Sequence, residues 1–181
     1  MKYAILCLLK GDVESYQHDL VNDIYEKFDL SETKEQDLPT HFTLKYSFQT
    51  DDIKEIETLI GAFCKKHNKT SIDVGGFSSF PPKVIFIDVK LSKQAKVVFL
   101  DFISELRKVK WMTWDKYDGE GLHIHSTIAE ECDHKFYSVL RFINNKEKHF
   151  DCWFDNITIL KKIGNKGKLD MWEVYKSFYM R

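Results

Sequence analysis

Two short stretches of this chain repeat one pattern of side chains: His41-Phe42-Thr43-Leu44 and His125-Ser126-Thr127-Ile128. Each reads histidine, any residue, threonine, apolar residue, and each lies in a run that alternates like a half-buried strand. Side chains alternate across a strand, so His41 and Thr43 share one face, and so do His125 and Thr127, with mostly apolar anchors behind them. With seven histidines and nine threonines in the chain, two such matches arise by chance only about 5% of the time. One copy would mean little; the pair is informative. Two imidazoles with pKa values near about 6.5 can divide the work of a base and an acid in displacement at a phosphodiester, one neutral and one protonated. Threonine hydroxyls can donate to the non-bridging oxygens where charge builds up.

Elements must bring together two motifs that lie 84 residues apart. The N-terminal segment Met1 to Lys10 carries a short apolar run that reads as a buried first strand. A helix follows Gly11-Asp12, with Val13, Tyr16, Leu20, Ile24 and Phe28 at helical spacing. Ser31 to Asp37 reads as a loop, and Thr40 to Phe48 as a strand. Asp52 begins a second helix carrying Ile56, Ile60 and Phe63; strands over 71–77 and 83–90 come next, then a helix capped by Ser92. Leu122 to Ala129 alternates again, Asp133 opens a fourth helix, and strands over 152–161 and 169–178 close the chain. Strands and helices in this mixed order, with hairpins, point to an α+β fold with antiparallel sheet.

Further candidates flank the motifs. Strict alternation puts Lys45 on the face of His41 and Thr43, where it could reach an anionic substrate, and puts Tyr46 on the opposite, core face. His123 shares the face of His125 and could line the same cleft. Trp114 and Tyr117, in the aromatic and polar stretch from Trp111 to Gly121, are candidates to stack a base. His123, His125, Cys132 and His134 have residue types that suit zinc, but nothing in their spacing fixes them together, so no metal and no cofactor are expected.

The motifs, together with Pro39-Thr40 before the first, Gly75-Gly76-Phe77-Ser78-Ser79-Phe80-Pro81, and the closing segments Ile157–Lys161 and Trp172–Tyr175, resemble the 2H (two-histidine) phosphoesterase superfamily, which includes 2′-5′ RNA ligase-like proteins and cyclic phosphodiesterases. The resemblance implies one bilobal unit over residues 1–181: two pseudo-symmetric antiparallel sheets with outer helices enclose a central cleft, and residues 1–75 and 76–181 each donate one motif. It makes His41 and His125 the catalytic pair and Thr43 and Thr127 the phosphate-binding hydroxyls, with Glu130 where relatives often carry a basic residue. It implies a metal-independent phosphodiesterase acting on 2′,3′-cyclic phosphate or 2′-5′ linkages of RNA or small nucleotides, with RNA joining as the reverse reaction. The alternative is a non-catalytic module that binds a nucleotide or an RNA end on the same fold.

Composition narrows the partners. The net charge is −1, from 27 basic and 28 acidic residues, and the only arginines are Arg107, Arg141 and Arg181. A duplex DNA footprint needs a strongly basic face, which this balance does not supply. No apolar run approaches the roughly 18 residues that cross a bilayer. Four scattered cysteines suit a reducing compartment, so the expectation is a cytoplasmic monomer holding one phosphodiester.

Overall fold

The computed structural model describes residues 1–181. Eight strands and five helices alternate along it: β1 (Lys2–Leu8), α1 (Asp12–Phe28), α2 (Glu32–Gln36), β2 (His41–Gln49), α3 (Lys54–Lys66), β3 (Thr70–Phe80), β4 (Val84–Leu91), α4 (Lys93–Leu106), β5 (His125–Ala129), α5 (Phe136–Ile143), β6 (His149–Phe154), β7 (Asn156–Lys166) and β8 (Leu169–Tyr179). The strands form two four-stranded sheets, β2-β1-β7-β8 and β5-β4-β3-β6. All neighbours in them are antiparallel. Each motif strand is therefore an edge of its sheet, and β2 and β5 meet between the sheets.

Local chemistry sets the boundaries. Gly11 turns the chain into α1 at φ 83, a left-handed conformation that side chains resist, and Asp12 and Glu14 then favour the positive end of the helix. Asp52 accepts the Lys54 amide at 2.9 Å, and Ser92 accepts the Ala95 amide at 3.1 Å, each satisfying a donor that the helix leaves free. The segment read as a loop before β2 contains the five-residue helix α2, too short to announce itself by periodicity. Apolar faces of α1, α3, α4 and α5 close over the sheets, and one continuous cluster of buried residues runs through both. No helix is long and apolar enough to cross a membrane.

The sheets do not divide the chain at residue 75. One takes its strands from residues 2–49 and 156–179, the other from 70–154. The chain leaves the first sheet through α3, builds the whole second sheet, and returns at Asp155. That residue splits what reads as one strand into β6 and β7, which lie in different sheets. Asn156 docks the returning strand. Its side-chain amide receives the Leu8 N–H at 2.9 Å and donates to the Leu8 carbonyl at 2.9 Å, imitating a ladder pair at the end of β1.

Both motif strands bulge just after the threonine. In β2, Thr43 faces Leu6 and Lys45 faces Ile5, so Leu44 is an extra residue; Leu44 and Lys45 both turn inward. In β5, Thr127 faces Phe86 and Ala129 faces Ile85, so Ile128 is extra; Ile128 and Ala129 are both buried. A bulge of one residue reverses the parity of everything beyond it. The fifth residue after each histidine, Tyr46 in β2 and Glu130 after β5, consequently faces the side of the His-x-Thr pair.

Candidate active site

Between the two edge strands lies a cleft of about 470 Å³, with His41, Thr43, His125 and Thr127 in its lining. Helix α1 closes it from one side through Gln17 and His18; α2 and the segment after it add Lys34 and Asp37. Gln17 is buried and ties the helix to β5: its Nε2 donates to the Thr127 carbonyl at 3.0 Å. Its Oε1 lies 2.7 Å from Ser126 Oγ, which also stands 2.6 Å from the His41 carbonyl. The single Ser126 hydrogen serves one of these at a time, and the contact joins β5 to β2 between the motifs themselves.

The two imidazoles are held in matching ways. His41 Nδ1 lies 2.7 Å from the Pro39 carbonyl, and His125 Nδ1 lies 2.6 Å from the His123 carbonyl. A carbonyl only accepts, so each Nδ1 carries the hydrogen, and each neutral ring leaves its Nε2 lone pair free. Basicity is reduced at both. Burial lowers the pKa of His41, against the effect of its Pro39 bond, and the charge of His125 lowers it further. Burial also lowers that of His125, whose ring centroid lies 4.5 Å from that of Phe86 and 5.4 Å from that of Phe80. The His123 charge adds to the lowering, while the bond to the His123 carbonyl and the Asp88 carboxylate oppose it. The pair resists holding two protons at once, since each imidazolium makes the other more costly.

The remaining sequence candidates lie elsewhere. Lys45 is buried, 2.8 Å from Asp118 Oδ2, because the bulge turns it away from the cleft. Trp114 packs under the Arg107 guanidinium at 4.5 Å and lies 5.3 Å from Lys45 Nζ, outside the cleft. Tyr117 stands exposed on the loop that delivers Asp118, also away from the cleft. His123 precedes β5, with its Nε2 at 3.2 Å from Asp88, and meets the site through its carbonyl and not through a ring in the cleft lining.

Gln17, Lys34 and Asp37 line the cleft without being singled out by the sequence reading. Tyr46, expected in the core, faces the cleft with Glu130. Burial raises the Glu130 pKa, as do the charges of Glu131 and Glu32, with Gln36 opposing. Gln17 offers the one sequence signal, a polar residue on the apolar stripe of α1 beside Val13, Tyr16 and Leu20. The bulges leave none, since they shift register without changing composition.

A two-lobed α+β frame with one His-x-Thr on each facing edge defines the class of protein. The 2'-5' RNA ligase superfamily matches residues 21–166, and the chain belongs to that superfamily of 2H phosphoesterases and RNA ligase-like proteins. No curated protein matches it in sequence. In fold it is similar to TT0787 of Thermus thermophilus, with a TM-score of 0.67 at 14% identity over 100% of this chain and 98% of that one. It is similar also to E. coli LigT complexed with 3'-AMP, with a TM-score of 0.65 at 8% identity over 99% of this chain and 97% of that one. A further structure of E. coli LigT, complexed with ATP, gives 0.60 at 10% identity over 99% and 96%.

Proposed function

We propose that this chain is a metal-independent phosphoesterase that opens 2′,3′-cyclic phosphates or 2′-5′ phosphodiester linkages in RNA or small nucleotides. His41 and His125 act as base and acid, and Thr43 and Thr127 hold the phosphate. The observation that carries the reading is the matched pair of Nδ1–carbonyl bonds, which leaves two Nε2 atoms of fixed tautomer beside two hydroxyls in one cleft. E. coli LigT complexed with 3'-AMP and with ATP supports a nucleotide as the substrate class.

In hydrolysis a water oxygen bonds to phosphorus while the bond from phosphorus to the 2′ or 3′ oxygen breaks. The neutral imidazole takes the proton of the attacking water, and the imidazolium gives its proton to the departing oxygen, so the pair ends with its protons exchanged. Mutual repulsion within the pair favours the singly protonated state that this division needs. The threonine hydroxyls donate to the non-bridging oxygens as charge grows there. With a 5′-hydroxyl in place of water, the same base takes the attacking hydroxyl's proton and the same acid protonates the departing 2′ or 3′ oxygen, and a cyclic phosphate end becomes a new phosphodiester, which is RNA joining.

The test is a panel of a 2′,3′-cyclic nucleotide, an RNA with a 2′,3′-cyclic end and a 2′-5′ dinucleotide, each incubated with and without EDTA. Turnover on at least one, unchanged by the chelator, is expected; turnover that chelation abolishes would overturn the mechanism. Glu130 in the lining of the cleft favours a second reading, a non-catalytic nucleotide or RNA-end binder. Saturable binding of the cyclic nucleotide without hydrolysis would establish it.

A further inference from the structure

The motif strands present a second matched pair. The bulges turn Tyr46 and Glu130, each five residues beyond a histidine, into the cleft. The two lie near enough that the Glu130 charge acts on the Tyr46 phenol. A site that held several phosphates would gather cations here. In this cleft Lys34 is the single lysine of the lining, arginine is absent from it, and Asp37 and Glu130 are acidic. Glu130 has no cation against it. Its neighbour Glu131 is the one that pairs with Lys83, at 2.7 Å, and its other close polar neighbours are Gln36 and Glu32.

On the phosphodiester reading, we propose that Glu130 is a charge filter: the cleft admits a substrate whose one phosphate is a monoanionic diester and repels a dianionic phosphomonoester. Opening a cyclic phosphate converts the first into the second. A monoester carries about −1.5 to −2 charges at neutral pH, so the product gains negative charge while Glu130 stays in place. The two imidazoles and two hydroxyls that attract the phosphate would otherwise hold the product more tightly than the substrate. Glu130 opposes that gain and speeds release. The same charge disfavours substrates with an additional terminal phosphate.

The filter is tested by calorimetric titration of wild type, Glu130→Gln and Glu130→Lys with adenosine 3′-monophosphate and with adenosine. The titrations are run at about pH 8, on the side that favours the charged form of a carboxyl whose pKa burial raises. Glu130→Gln keeps the shape and relieves repulsion from Glu131 and Glu32, so it is the variant that keeps the fold if Glu130→Lys does not. The monoester is expected to bind ~10-fold tighter to Glu130→Gln, and more tightly still to Glu130→Lys, with adenosine affinity unchanged. Equal monoester affinity in the three proteins, or weaker binding to Glu130→Gln, would overturn the filter. Binding needs no turnover, so the two proposals fail separately. A wild type that hydrolyses no phosphodiester refutes the functional reading, while a gain of monoester affinity in Glu130→Gln still upholds the filter.

Discussion

The side chains of Lys45 and Asp118 are each 1% exposed, with Nζ and Oδ2 2.8 Å apart. The carboxylate also receives the Tyr46 amide at 3.0 Å and the Asp115 amide at 2.8 Å, and Lys45 Nζ reaches the Tyr46 carbonyl at 3.2 Å. The ion pair therefore clamps the bulge that turns Tyr46 into the cleft. Asp118→Asn keeps the size but leaves a buried ammonium without its countercharge, and breaking a buried pair from one side costs about 3–5 kcal/mol. At about 2–4 °C per kcal/mol for a chain of this length, thermal unfolding followed by circular dichroism should show Tm lowered by roughly 6–20 °C. Lys45→Met keeps the packing of the stem, leaves Asp118 its two amide donors, and should cost about 1–3 kcal/mol. The double variant removes both charges and should regain much of what Asp118→Asn loses, because the two sites are coupled. A lysine that reached the substrate would behave differently. Lys45→Met that unfolds like wild type, with a raised KM and an unchanged kcat, would refute the clamp.

Three further outcomes follow from the site. Both imidazole pKa values are lowered from 6.5, so each ring loses its proton at lower pH, and the singly protonated pair is most populated on the acid side of that value. A bell-shaped kcat/KM profile with its maximum below about pH 6.5 is expected. A bound phosphate favours imidazolium, so the kcat profile should shift upward; a kcat/KM maximum well above neutrality would contradict the titration of this pair. Gln17→Ala removes the bond to the Thr127 carbonyl and the partner of Ser126. It should cost about 1–3 kcal/mol in urea unfolding and lower kcat more than it raises KM, whereas unchanged kinetics would remove Gln17 as a positioning residue. Tyr175→Phe deletes the bond to the Glu57 carboxylate on the far sheet edge and should leave kcat/KM unchanged.

The strands that carry the histidines were legible because a period of two survives in β2 and β5 up to the threonines. Parity beyond them was not. Assigning Lys45 to the cleft and Tyr46 to the core follows from unbroken alternation, and one extra residue at Leu44 inverts both assignments. Bulges of this kind are fixed by what they pack against, here Asp118, which lies 73 residues away from Lys45, and a distant partner leaves no local signature. The division of the chain between the two sheets was hidden for a related reason. The run across Asp155 has the composition of one strand, and only the docking of Asn156 on Leu8 shows that the chain changes sheets there. Aromatic content alone groups Trp114 and Tyr117 with the site. Their loop serves the cleft through Asp118 and not through their rings.

The central claim is that two histidines divide acid and base work in one cleft, and steady-state hydrolysis of a 2′,3′-cyclic nucleotide by wild type, His41→Ala and His125→Ala tests it most directly. Each substitution is expected to lower kcat by about 10²–10⁴-fold while the cyclic nucleotide still binds, with the matching limb of the pH profile lost. Either variant turning over at a rate near that of wild type, with both limbs intact, would remove that histidine from the pair and contradict the account.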